Sequence, residues 1–259
     1  MSGSIHPTSV VSPSASIAAS AVIGPFCVIE DDVVIGERTT LMANVFVGNG
    51  GRIGNDVRIH PGAVISTAPQ DLKYAGEPTF AFVGDRTVIR EGATINRATV
   101  ASKETHVGTD CLLMAYAHVA HDCRVGNHVI LANSVQLGGH VEVGDWAIIG
   151  GLTGVHQFVR IGPHAMVAAC IMTAKDVPPY TLVGRYPVGV ENLNTVGLRR
   201  RGFSAETIRT IDEFYTILLR QGHNVSDGLR AYESAVSDII PEVRLCIDFI
   251  RNSRRGIYR

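Results

Sequence analysis

Leu113-Met114-Ala115-Tyr116-Ala117-His118-Val119-Ala120-His121-Asp122-Cys123-Arg124-Val125 carries an aliphatic residue at every sixth position, 113, 119 and 125. The phase continues on both sides. Upstream it marks Ile5, Val11, Ile17, Ile23, Ile29, Ile35, Leu41, Val47, Ile53, Ile59 and Ile65, then Val83, Ile89 and Ile95, and passes through Ala101 to Val107. Downstream it runs through Leu131, Leu137, Val143, Ile149, Val155 and Ile161 to Val167, giving 25 aliphatic positions in one phase. A period of six fits neither the 3.6 of a helix nor the two of a long strand. It predicts a mainly β chain wound as a hexapeptide-repeat parallel β-helix. Each hexad is a short strand plus a corner, three hexads make a triangular coil of 18 residues, and the marked side chains point inward.

Composition agrees. The 259 residues are 46% hydrophobic but only 6% aromatic, with 27 glycines, as a prism filled by small aliphatic residues requires. Residues 1–195 hold 12 Lys/Arg against 16 Asp/Glu; residues 196–259 hold 11 against 8, and all 11 are Arg. That excess falls short of a nucleic-acid footprint and suits an acidic partner. Cys27, Cys111, Cys123, Cys170 and Cys246 form no C-x-x-C pair and read as small buried hydrophobes in a reducing compartment. No apolar run is long enough to span a bilayer, and no secretory signal opens the chain, so a cytoplasmic protein is expected.

Two stretches leave the repeat. Asp71 and Glu77 replace the expected marks within residues 66–82, where Pro69, Gly76 and Pro78 suit a loop thrown from a corner. Residues 101–105 read as a milder bulge. The repeat fades near Thr173, and Pro178-Pro179 closes the prism. A first domain is therefore expected over 1–190 and a helical one over 191–259. Ser204 with Glu206 starts one helix that Gly222 ends, a second covers about 226–240, and Pro241 opens a third.

Residues 18 apart stack vertically in such a prism, so His121, Gly139 and Gln157 form one column, with His140 and His156 beside it. His118 shares that edge. A histidine at a corner is ordinarily a solvated polar residue, and His6, His60, His106, His128, His164 and His223 are read so. The convergence of His118, His121, His140 and His156 favours a site. His121 suits a general base, Asp122 its orienting partner, and the Gly139 N–H an oxyanion donor. This grouping fits acyl transfer to a hydroxyl by direct attack. One prism edge is shallow, so a second subunit is expected to close the pocket, a cyclic trimer being the natural assembly.

The segments Gln70-Asp71-Leu72-Lys73-Tyr74-Ala75-Gly76-Glu77-Pro78, His118–Cys123, Val155-His156-Gln157-Phe158, Asp176-Val177-Pro178-Pro179-Tyr180 and Arg200-Arg201-Gly202-Phe203 narrow this further. With them, nearly the whole chain resembles the UDP-N-acetylglucosamine 3-O-acyltransferases of lipid A biosynthesis. The resemblance implies a left-handed β-helix homotrimer with sites between subunits. It implies transfer of an (R)-3-hydroxyacyl chain from the phosphopantetheine of acyl carrier protein to a UDP-sugar, with no metal or other cofactor. It makes His121 the base, Asp122 its partner and Gly139 the oxyanion donor. Gln70, Asp71, Lys73, His118, His140, His156 and Gln157 become substrate contacts. Asn194, Arg200 and Arg201 become uridine and phosphate contacts in the tail, and Ala169 an acyl-length determinant whose small side chain implies a medium-to-long chain. Taken alone, Lys73 and Arg199–Arg201 also read as solvated charge, and Asn194 as a turn residue.

The chain has Asn96 where many members carry histidine, and Val196 where an acidic residue is expected. Alternatives are transfer to a 3-amino sugar, a zinc hydratase like the γ-type carbonic anhydrases built on histidines of two subunits, the related N-acyltransferase, and a non-enzymatic β-helix. The last would need a regular outward ladder of side chains, and the outer positions here are irregular.

Overall fold

A computed structural model describes residues 3–222 and 224–259; His223 lies outside the described residues. Strands of mostly two residues stack into three parallel sheets, the faces of a left-handed prism. Face A carries Leu113, Leu131, Ile149 and Val167. Face B carries Val119, Leu137, Val155 and Thr173, and face C Val107, Val125, Val143 and Ile161. The in-phase aliphatics point into the axis, where Leu113, Val119, Leu131 and Ile149 are fully buried. At many corners the residue three past the marked one adopts positive φ, as Asp122 (61°), His140 (61°) and Phe158 (64°) do. For non-glycine residues that conformation costs about 1 kcal/mol each, so the ladder on either side must hold it.

Across undisturbed coils the partners are 18 apart, as for His118 and Gln136. Ile59 pairs with Ile89, 30 on, and Ile89 with Leu113, 24 on. Both excursions therefore add whole hexads, which is why the phase survives them. The large loop occupies 68–79, since Val64–Thr67 and Phe80–Val83 are strands. The smaller one corrects the expected bulge: residues 98–103 leave the wall as a complete extra hexad, Ala101 sits in its turn, and Glu104–Val107 is already strand. The top coil is short, pairing Ile161 with Val177 and Val167 with Val183, 16 apart.

After the prism the chain makes an antiparallel hairpin, Thr181–Gly184 with Gly189–Leu193, where only a link was expected. An unexpected helix, α1 (Thr195–Arg200), follows. Helix α2 (Ala205–Tyr215) is capped by Ser204 as anticipated and runs on as a π turn over Thr216–Arg220. Helix α3 (Val225–Ala235) stops before the predicted 240, and α4 (Pro241–Arg251) begins at its proline. The helices bury Leu198, Ile211, Phe214, Leu218 and Ile247 in a core of their own. The chain end then returns to the prism, with Tyr258 N–H donating to Asp176 O at 3.1 Å and the Tyr258 hydroxyl accepting Ala174 N–H at 3.0 Å. Four cysteines are buried; Cys170, expected inside, is exposed. Among the described residues no helix is long and apolar enough to cross a membrane.

Candidate active site

The corner after face B places His121, Gly139 and Gln157 one above another, with Asp122, His140 and Phe158 one residue further round. His121 Nδ1 lies 2.7 Å from Asp122 Oδ2. The Asp122 side chain is fully buried, yet both its oxygens are saturated. Oδ1 accepts from Ser102 Oγ at 2.5 Å and Ser102 N–H at 3.1 Å; Oδ2 accepts from Thr99 Oγ1 at 2.9 Å and Thr99 N–H at 3.2 Å. Burial by itself would raise its pKa. The hydrogen bonds from Ser102, His121 and Thr99 outweigh it and hold the carboxyl down at about 2. An ionised carboxylate only accepts, so His121 Nδ1 carries the proton and Nε2 presents a lone pair.

That lone pair lies against Gly139. A Cβ on Gly139 would fall 2.7 Å from His121 Nε2 and 2.6 Å from Cε1, so only glycine lets the ring lie there. At the corner after face C, the N–H groups of Glu37, Asn55, Thr109 and Asn127 are capped by the Asn or Asp side chain one coil on, at 2.7–2.9 Å. Gln157 makes no such bond to Gly139, whose N–H has no acceptor among the described residues. A base lone pair and an unspent N–H thus belong to neighbouring residues of one column.

Gln70, His118, His121, Gly139, His156 and Gln157 line one groove of about 530 Å³, floored by Leu137, Gly154, Val155 and Met172. His118 bonds Thr94 Oγ1 at 2.7 Å; burial first, then nearby His121, lower its pKa and keep it neutral. His140 stands on the opposite side of the ridge, edge-on to His121 at 5.3 Å and stacked on Phe158 at 4.5 Å. It lines a second groove with Arg124, Arg160, Arg254 and Arg255.

The remaining candidates lie elsewhere on the chain. Asp71 and Lys73 are on the outer part of the 68–79 loop, where Asp71 Oδ1 caps Lys73 N–H at 3.0 Å and Lys73 is exposed. Arg97 moors that loop, donating to Tyr74 Oη at 3.0 Å and to Ser66 O at 3.0 Å. Asn194 is buried as the cap of α1: its Oδ1 accepts Gly197 N–H at 3.2 Å and its Nδ2 donates to His164 O at 3.0 Å, which uses one acceptor and one donor position of the amide. Arg200 and Asn194 border a separate groove over Ile148, Met166 and Leu182 on face A. Arg201 packs over Trp146 at 5.3 Å and beside His164 at 3.4 Å. Ala169 is exposed at the corner following face A.

Thr99, Ser102 and Thr105, which hold Asp122, belong to no motif in the sequence; Thr105 Oγ1 accepts Asp122 N–H at 2.8 Å. The surplus hexad was the available signal. His121, Asp122 and His140 also bring metal-ligating atoms within 4.8 Å of one another. Of these atoms His121 Nδ1 and both Asp122 carboxylate oxygens are already engaged in hydrogen bonds.

Residues 176–258 match the family described as Udp N-acetylglucosamine O-acyltransferase, domain 2, and residues 14–49 and 104–139 match bacterial transferase hexapeptide repeats. An acyl-[acyl-carrier-protein]–UDP-N-acetylglucosamine O-acyltransferase of Chlorobaculum parvum (strain DSM 263 / NCIMB 8327) is 52% identical over 98% of this chain and 96% of its own. The crystal structure of a UDP-N-acetylglucosamine acyltransferase from Bacteroides fragilis 9343 superposes with a TM-score of 0.96 at 44% identity, covering 99% of this chain and 100% of that one. An Arabidopsis UDP-N-acetylglucosamine acyltransferase superposes with a TM-score of 0.85 at 30% identity, covering 98% and 100%.

Proposed function

This chain belongs to the acyl-[acyl-carrier-protein]–UDP-N-acetylglucosamine O-acyltransferases, and we propose that it transfers the acyl group by direct attack, with His121 as general base. The supporting observation is the pairing of His121 Nδ1 with an ionised Asp122 while Nε2 rests against Gly139. Nε2 takes the proton from the sugar 3-hydroxyl as that oxygen bonds to the thioester carbonyl carbon. The carbonyl oxygen becomes an oxyanion facing the Gly139 N–H, and Asp122 offsets the imidazolium charge. Collapse breaks the carbon–sulfur bond, and the departing phosphopantetheine thiolate recovers the proton from His121. The residues alone account for each proton, with no metal or cofactor of the enzyme. The (R)-3-hydroxyacyl donor and a place as the first step of lipid A biosynthesis belong to the same reading.

A homotrimer with sites between subunits is part of it. Asn194, Arg200 and Ala169 sit over other faces and corners than His121, so a substrate touching both sets has to lie between copies. The Arg-only tail is the surface offered to an acidic carrier protein. The experiment is turnover of acyl-carrier thioesters with 3-hydroxy and 3-amino UDP-sugars by wild type and His121→Ala. The variant is expected to lose at least about 10²-fold in kcat, at a solution mass three times the 27.7 kDa of the chain. Near-normal turnover would remove His121 from the role; a monomeric mass would remove the shared site.

A further inference from the structure

The surplus hexad 98–103 interrupts the wall next to His121 and Asp122. We propose that Thr99 and Ser102 are positioning residues for the transfer: they fix the Asp122 carboxylate and, through it, the orientation and basicity of His121. This rests on His121 being the base.

Each residue meets Asp122 with both its backbone N–H and its hydroxyl. The hydroxyls are aimed by their own turn. Thr99 Oγ1 accepts Ala101 N–H at 3.2 Å and Ser102 Oγ accepts Glu104 N–H at 3.4 Å, which leaves each O–H proton for the carboxylate. For Ser102 the competing acceptor, Glu104 O, is farther away at 2.9 Å than Asp122 Oδ1 at 2.5 Å. The hexad is itself held in place: Lys103 N–H returns to Thr99 O at 2.9 Å, and Thr105 takes the Asp122 N–H. A wall continuing without the insertion would leave this buried carboxylate with His121 as its main partner. Its pull would then fall on that ring alone. Four donors from the insertion share the charge and keep it ionised without that consequence.

The hydroxyls are removable one at a time by Ser102→Ala and Thr99→Val, each leaving the other residue in place. Other groups facing the pair stay as they are: His118 and His140 beside it, and Lys103 and Glu104 on the insertion. Across the second groove, Arg124, Glu142 and Arg160 on face C and Asp176, Arg254 and Arg255 near the tail are also unchanged. We expect the His121 resonance, followed by histidine-selective NMR titration of the intact protein, to titrate higher than in wild type in either variant. The acid limb of kcat/KM should move by the same amount, with kcat reduced about tenfold. Thr99→Ser keeps its hydroxyl and should titrate as wild type. Folded variants whose His121 titration and acid limb both stay put, or move down, overturn the proposal. A shifted resonance with an unmoved acid limb upholds the clamp and instead overturns His121 as the base.

Discussion

Gly139 is the residue whose identity is most tightly set by its neighbour. Its φ is unexceptional, so alanine suits the backbone; the obstacle is the His121 ring, locked by Asp122 where the Cβ would go. Gly139→Ala is therefore expected to lose about 1–3 kcal/mol of stability, and His121→Ala/Gly139→Ala to recover most of it in denaturant melts. Additive losses would show that the two do not touch. The His121–Asp122 pair was legible because adjacency at a known corner fixes which way both point. Asn194 was not. Read alone it is a turn residue, and only the family resemblance makes it a uridine contact; its place as the cap of α1 was hidden because that helix is too short for a periodic signal.

Among elements, the two excursions were unequally visible. Prolines and a glycine announce the 68–79 loop, while the 98–103 hexad hides in phase because Ala101 occupies a marked position and exactly one repeat is added. The stretch that leads into it moors the larger loop: Asn96, Arg97 and Ala98 hold both its ends. Asn96 Nδ2 bonds Thr67 Oγ1 at 2.8 Å and Ala98 N–H bonds Phe80 O at 3.2 Å, while Arg97 reaches Tyr74. Since that loop carries Gln70, Asp71 and Lys73, Arg97→Met is expected to raise the KM for the UDP-sugar about tenfold with little change in kcat. An unchanged KM would mean that the loop keeps its place without the arginine. The tail helices were legible from Ser204 and Pro241, whose capping chemistry is local. The hairpin at 181–193 was not, because its pairing depends on the short top coil.

For the molecule as a whole, vertical stacking converts a distance of 18 residues into one coil and so assembles a site from short, separate strands. The groove it makes offers a base and an N–H donor. None of its lining residues among those described is a serine, threonine, cysteine or lysine. Cys123, next to the pair, is turned inward onto Gly138 O at 3.1 Å, and burial pushes its thiol up to about 12, so it is no nucleophile. That lining suits the proposed passage of the acyl group straight from thioester to sugar. The most direct measurement is a single-turnover experiment with acyl-labelled carrier protein, quenched before and after addition of UDP-N-acetylglucosamine. Direct transfer predicts no label on the enzyme without the sugar, and label in the sugar product once it is added. A stoichiometric burst of label on the enzyme that the sugar then discharges would contradict it.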